Sequence, residues 1–550
     1  MKRPHKHSTL AKTATLLLAI IAATGWLRAD DSYNMQRAAE ALGNENYDEA
    51  LQYARAELAE SPDNPWAWLL TGRIFLETGH PGTAICVTDK ALRVTPKKDK
   101  EMLATLYEFK AYAIEDVNDK SSKALDCLNK AVELCPRDSD ALRRRADYLF
   151  NLTRFDEANA DLKRLLAEVP DNFYAKSCMA RNTVYQKRYA EAVKQLDAIL
   201  ATDSTWYQGY AFRGQAKMGL KQWDGAVADA VKALNAGSAT ARTYYEDLYD
   251  SVPALMEKAM LAQAQADTTD ATPLYELLAR KAYADDRFED ALKYYYKWDS
   301  IEPNFYSKVG ISRIYTYMGL TQEGIHFAKL AQLADSSEVE AHWYLADAYL
   351  EAGDTDSALQ EVNQYIALTG DDASGYFTRG LISEVKGKYA EALEDFDFAV
   401  VLDESNATYH PLRGIMLQKL GRTSEARSEF ERVVACDTAN RRRTPIALHF
   451  LNRDKEAAAM ADSLCNSKGN YDRLWAARYY AISGKTDKAL DILEKAVAND
   501  YLSKQEISGN YFLKALASEP RMKQIQAKHD ARLKELAQRL AKLYQSTTKR

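Results

Sequence analysis

The sequence predicts an all-α chain of antiparallel helix pairs stacked side by side, and three observations carry that expectation. A short phrase, NYDEALQYA at 46–54, returns as RFDEANADL from Arg154, RYAEAVKQL from Arg188, QWDGAVADA from Gln222, RFEDALKYY from Arg287 and KYAEALEDF from Lys388. The alanines of these phrases keep step: Ala50 and Ala84 are 34 residues apart, as are successive members of Ala158, Ala192 and Ala226 and of Ala358, Ala392 and Ala426. Breakers are few, with 13 Pro and 23 Gly in 550 residues, which favours helix. A fixed period of this length marks a repeat array, in which chain length no longer counts domains.

The remaining anchors extend the period. Ala291 steps to Ile325 by 34 residues and Ile325 to Ala358 by 33. Ala226 to Ala291 spans 65, two units with Ala259 as a degenerate middle anchor. Ala84 to Ala124 spans 40, an insertion, and Ala457 and Ala489 follow at looser spacing. Fourteen units result.

Other positions move with the anchor, each for a physical reason. A small residue precedes it by about twelve, as in Gly72, Ala146, Ala180, Gly214, Ala279, Ser312, Gly380 and Gly414, where two helices must approach closely. Glycine often precedes it by five, as in Gly79, Gly353, Gly387, Gly421 and Gly484, where a first helix ends in a left-handed residue. An aromatic often precedes it by three, as in Tyr47, Phe155, Tyr189, Trp223, Phe288 and Tyr389. Proline can follow by twelve, as in Pro62, Pro96, Pro136 and Pro170, and stops the second helix. Each unit is a helical hairpin with apolar residues on both flat sides, so units must stack to bury them.

NPWAWLLTGRIFLETGHPGTAICVTDKALRVTP (64–96) resembles the tetratricopeptide repeat through Trp68, Gly72, Phe75, Ala84, Ala91 and Pro96, and the resemblance extends over residues 33–500. It implies a right-handed superhelical solenoid of antiparallel helix pairs. The first helices would line its concave face and hold partner segments there.

The chain then divides as follows. Residues 1–29 hold Lys2, Arg3, Lys6 and Lys12 before the apolar run Ala14–Leu27, too short to span a bilayer and suited to a secretory signal peptide cleaved after Gly25 or after Ala29. An uncleaved anchor is the alternative. An N-terminal array occupies 33–234, a divergent repeat or joint 235–272, a central array 273–437 and divergent repeats 438–500. ADTTDATP (266–273) and DTANRRRTP (437–445) read as breaks. Residues 501–550 form an amphipathic basic helix through Ile525, Leu533, Leu536, Leu540 and Leu543, expected to cap the array, with a partner-binding helix as the alternative.

Charge and motifs narrow the function. The net charge is −6; with +5 in residues 1–29 and +7 in 521–550, residues 30–520 carry −18. Such a body repels nucleic acid, and no nucleic-acid partner is expected. No transmembrane span is expected once the signal is removed. HExxH, GxSxG and GxxxxGK[ST] are absent from the sequence. The eight histidines lack metal-ligand spacing, so no catalytic residue, metal or cofactor is expected. The six cysteines show no CxxC spacing and read as small buried apolar residues.

A binding surface is expected instead. With the anchor at position 20, position 9 of the first helix is Arg73, Arg181, Arg280 and Arg313, and neighbouring positions supply Arg143, Tyr185, Tyr306, Tyr317 and Trp343. Arginine forks suit carboxylates and tyrosine adds rigid area, so the expected partners are protein or peptide segments, acidic or C-terminal. Against this stands the reading that these arginines pair with acids on the next helix, as Asp147 with Arg181, and that the tyrosines are packing. The resemblance's two-carboxylate clamp needs Lys at position 5 and Asn at position 9 of one unit, a pair that no unit has. The expectation is an exported, non-catalytic scaffold or adaptor in the periplasm or cell envelope. The alternatives are secretion, a glycan- or ligand-binding module, an accessory subunit of an envelope enzyme complex, and self-association.

Overall fold

The computed structural model describes residues 32–118, 120–266, 271–406, 408–437, 441–467, 469–499, 507 and 510–548. The expected signal peptide lies outside the described residues, as do 267–270 and 438–440 of the two expected breaks. From Tyr33–Gly43 with Tyr47–Glu60 to Asn470–Ile482 with Thr486–Ala498, the described residues form fourteen helix pairs. A 3-10 turn, Tyr511–Leu516, and a long helix, Pro520–Thr548, follow. The chain divides into two compact units, residues 1–233 with 238–246 and residues 234–237 with 247–550. The stretch 235–272 holds the pair Ala239–Ser251 and Pro253–Ala266, and 438–500 holds two more pairs.

One hairpin explains the rest. Asn64 caps the helix Pro65–Glu77, its Oδ1 accepting from the Trp66 and Ala67 N–H groups at 3.0 and 3.3 Å, while Pro65 sits where no N–H is needed. The helix stops at Gly79, φ +79°, and His80 N–H returns to Phe75 O at 2.7 Å. The second helix, Pro81–Val94, then starts. The left-handed residue is not always glycine. Glu45, Thr153, Lys187, Lys221, Asp286 and Asn452 hold the same place with φ between 57 and 60°. Each costs about 1 kcal/mol in backbone strain. The returning bonds hold it, as Arg154 N–H to Leu149 O at 2.8 Å and Arg188 N–H to Thr183 O at 3.1 Å.

The close contacts fall where the small residues predict. A Cβ on Gly214 would lie 3.2 Å from both Ala226 O and Ala230 N, and one on Gly380 would lie 2.5 Å from the Phe396 ring. Two anchors differ from the sequence reading. Ser312 Oγ donates to Gly324 O at 2.7 Å, and a Cβ on Gly324 would lie 3.2 Å from Thr316 N, so the close contact is Gly324 and not Ile325. In the helix Pro253–Ala266 the anchor place belongs to Met256, fully buried, and not to the half-buried Ala259. A flexible thioether fills there what alanine leaves to the neighbouring helix elsewhere.

Charged residues staple the hairpins in a pattern the period did not reveal. Arg145 meets Asp161 at 2.7 Å, Arg213 meets Asp229 at 2.7 Å and Arg379 meets Asp395 at 2.6 Å, and Arg413 pairs with Glu429. The same guanidinium groups reach the preceding second helix at Asn129 (3.1 Å), Asp197 (2.6 Å), Asn363 (3.2 Å) and Asp397 (2.5 Å). Each arginine thus ties its own hairpin shut and to the one before.

The C-terminal helix caps the second unit and also reaches back across it. Met522, Ile525, Leu536 and Leu540 are buried. Arg521 meets Asp491 at 2.5 Å, on the last hairpin. Arg539 meets Glu289 at 2.7 Å, and the Tyr544 ring lies 5.0 Å from Tyr296, both on the helix Phe288–Ile301. The Asn470 N–H donates to Asp286 at 2.9 Å, 184 residues away. Within this unit the last hairpin therefore touches an early one.

The cysteines form no disulfide, but only Cys127 and Cys178 are buried, and Cys86, on a second helix, is exposed. Among the described residues no helix is long and apolar enough to cross a membrane.

Candidate functional site

The first helices carry the nominated residues. With Gly324 as anchor, Arg313 falls eleven residues before it, in register with Arg73, Arg181 and Arg280. Arg478 stands in the same register before Ala489, a member that the sequence reading missed because that unit's spacing is loose.

Two clusters bring nominated residues together. In the first unit the Arg181 guanidinium lies 3.7 Å from the Phe150 ring centroid and 3.5 Å from Asp147. Tyr185, 44% exposed, meets Phe150 edge-on at 5.2 Å and stacks on Phe155 at 6.3 Å. In the second unit Arg313 lies 5.0 Å from the Tyr283 ring and donates to its hydroxyl at 3.2 Å. Tyr317, 42% exposed, lies 6.0 Å from Tyr283, which packs on Phe288 at 5.8 Å. Position for position the clusters match: an arginine, an exposed tyrosine one turn later, and two rings of the preceding hairpin.

The other nominated residues stand apart. Arg73 meets Glu77 at 3.9 Å, and burial lowers its pKa. Arg143 meets Asp140 at 3.4 Å and lies 5.5 Å from the Tyr174 ring. Arg280 meets Glu276 at 3.1 Å. Tyr306, more than half exposed, donates its hydroxyl to Glu338 at 3.1 Å. Trp343 donates Nε1 to Thr378 Oγ1 at 3.0 Å.

Two acids on first helices depart from ordinary carboxylates. Burial, with Asp138 adding to it, pushes Glu108 up to about 7 against the opposing charge of Arg144. Burial also raises Asp347, opposed by Arg313. Sequence reading passed over both, since a carboxylate on a helix face looks solvated until its neighbours are known. No grouping of three or more His, Cys, Asp or Glu suited to a metal ion occurs among the described residues. What the face offers is rings, hydroxyls and guanidinium forks at repeated spacing, which is chemistry for binding.

Comparison with known proteins places this geometry. A family model described as tetratricopeptide repeat matches residues 35–97, 117–173 and 327–373. The DnaJ homolog subfamily C member 7 homolog of Schizosaccharomyces pombe is 25% identical over 214 residues. That stretch is 36% of this chain and 44% of the relative, so the chain spans less than half the length of the curated relative it matches. A tetratricopeptide repeat protein from Parabacteroides merdae aligns with a TM-score of 0.32 at 14% identity, covering 57% of this chain and 97% of its own. YrrB, described as a protein of this kind with an unusual peptide-binding site, aligns with a TM-score of 0.30 at 16% identity over 35% of this chain and 97% of its own. The Cut9–Hcn1 hetero-tetramer of the APC/C aligns with a TM-score of 0.35 at 12% identity over 97% of this chain and 99% of its own. The family model matches three separate stretches and helix pairs of the same kind fill the described residues between them, so the chain carries tetratricopeptide repeats within a solenoid of such pairs.

Proposed function

We propose that this protein is a non-catalytic scaffold or adaptor that binds segments of partner proteins along the exposed face of its first helices, acidic or C-terminal segments foremost. The observation that carries the reading is the repeated pairing of an exposed tyrosine with a ring-bound arginine, at Tyr185 with Arg181 and at Tyr317 with Arg313. A folded array buries aromatic area readily, as at Tyr148 and Tyr249. Leaving these rings half in water suits a contact that a partner completes. Crosslinking in the native cells, followed by purification of the chain, tests it. The double variant Tyr185→Ala/Tyr317→Ala should keep its helicity and lose the recovered partner; unchanged recovery sinks the reading.

The compartment belongs to the same proposal. The basic start and the apolar run Ala14–Leu27 support export to the periplasm or cell envelope. Fractionation of the tagged chain tests this: recovery in the cytoplasm with residues 1–29 still attached would exclude it.

A further inference from the structure

The stretch DTANRRRTP reads as a break, yet the structure holds its second half firmly. Arg441 is exposed, but Arg442 and Arg443 are half-buried. Asp437 fixes Arg443 and Thr444. Its buried Oδ2 accepts from Arg443 N–H at 2.8 Å, from Thr444 N–H at 3.0 Å and from the Thr444 hydroxyl at 3.0 Å. These bonds pin the start of the helix Thr444–Phe450.

So placed, Arg443 lies beside the first helix of the last pair, Asn470–Ile482. Its guanidinium is 5.2 Å from the Trp475 ring centroid, and that of Arg478 is 4.3 Å from the same ring. Arg442 lies 5.1 Å from the Tyr471 ring and pairs with Asp472. Trp475 is only 7% exposed, and among the described residues neither its Nε1 nor Arg443 Nε finds an acceptor. Among the described residues no carboxylate comes within ion-pair distance of the Arg443 guanidinium. Burial lowers the pKa of Arg443, and the charges of Arg478 and Arg442 lower it further against Tyr471 and Asp437.

This sets Arg443 apart from four of the five nominated arginines, Arg313 being held by the Tyr283 hydroxyl instead. Arg73, Arg143, Arg181 and Arg280 each have an acid within 3.1–3.9 Å. A cation drawn out of water with no carboxylate in ion-pair contact, Asp437 acting on it only from further off, is costly unless something supplies the opposite charge. In a body of net charge −18 such a cluster is also an electrostatic exception.

We infer that Arg443, Arg478 and Trp475 form a recognition site for the carboxylates of an acidic partner segment. The guanidinium forks match carboxylate oxygens two at a time, the buried indole holds both in place, and the half-buried Tyr471 gives apolar wall for the rest of the segment. A short acidic peptide fits better than a polyanion such as nucleic acid, because the surrounding acidic surface repels extended negative charge. The inference rests on the scaffold reading for the nature of the partner, and it moves acid recognition from Arg181, Arg280 and Arg313 to the last two hairpins.

Fluorescein-labelled hexaglutamate, titrated into the purified full chain and followed by anisotropy, tests it. Hexaglutamate should bind at least tenfold more tightly than labelled hexaglutamine. Arg443→Gln and Arg478→Gln should each weaken it at least tenfold, while Arg427→Gln, exposed on a second helix, should leave it unchanged. Arg443→Lys keeps the charge but loses the fork and should fall between. Circular dichroism checks folding, and if Arg443→Gln unfolds, Arg478→Gln decides. Equal binding by Arg478→Gln and the natural chain overturns the site. So does full competition by inorganic phosphate at equal concentration, which would mark a free-anion site. Hexaglutamate binding lost only in Tyr185→Ala/Tyr317→Ala would sink this site and leave the scaffold reading standing. Hexaglutamate bound as expected, with no partner recovered after crosslinking, would do the reverse.

Discussion

The Arg181 and Arg313 clusters share a register and nearly a composition, yet they resolve the arginine's charge differently. Arg181 leans on a phenylalanine and reaches back to Asp147 on the preceding first helix. At the place of Asp147 the second unit has Arg280, and Arg313 leans instead on a tyrosine whose hydroxyl accepts its N–H. Its charge acts on Asp347, on the following first helix. One cluster is neutralised from behind and the other is held by hydroxyls with an acid ahead. A repeat fixes where a side chain stands; its neighbours decide what it is free to bind.

The strongest way to break the comparison is to remove the ring under each arginine. Phe150→Ala and Tyr283→Ala should each cost about 2 kcal/mol, less than a fully buried ring because both are half-exposed. Urea denaturation measures it, and a loss under about 0.5 kcal/mol in either would mean that the cluster is ornament to that hairpin. A finer test uses one substitution in two places. Asp147→Asn should destabilise by about 0.5–1 kcal/mol, the worth of a partly exposed pair. Asp347→Asn should instead be neutral or stabilising at pH 8, since burial already favours the uncharged form there. The same sign at both sites would refute the difference drawn here.

A pH dependence in the first unit gives a separate test. Glu108 holds its proton to about pH 7 when folded, against a carboxylate's usual 4.5. Its contribution is therefore full below about pH 4.5 and lost as pH rises through 7. Glu108→Gln should match the natural chain in melting temperature at pH 4.5 and exceed it at pH 8. Equal melting temperatures at both would show that the group is solvated.

Much of this was legible in sequence because it repeats. Gly79, Gly353 and Gly387 announced the left-handed turn, and the small residues Gly72, Gly214 and Gly380 the close approach. What failed was single-residue phase where the anchor is not alanine, as at Gly324 and Met256. Partner choice was less legible still. Arg145 and Asp161 are 16 residues apart, a separation meaningless on one helix and adjacent across a hairpin. The Arg443 cluster joins a turn residue to a helix roughly one repeat further on, and a run of arginines in a turn resembles solvated surface until Trp475 is seen beneath it. The bond from Asn470 to Asp286 is out of reach of any local rule.

That bond has a mechanical meaning. A stack in which each hairpin touches only its neighbours stretches like a spring, every interface yielding a little. In the second unit a pull applied between residues 286 and 470 would load the Asp286–Asn470 bond before the hairpins between them part, with the Arg539–Glu289 pair and the Tyr544–Tyr296 contact beside it. The unit would resist as a clasped loop and then give way at once, a force signature with a sharp first peak.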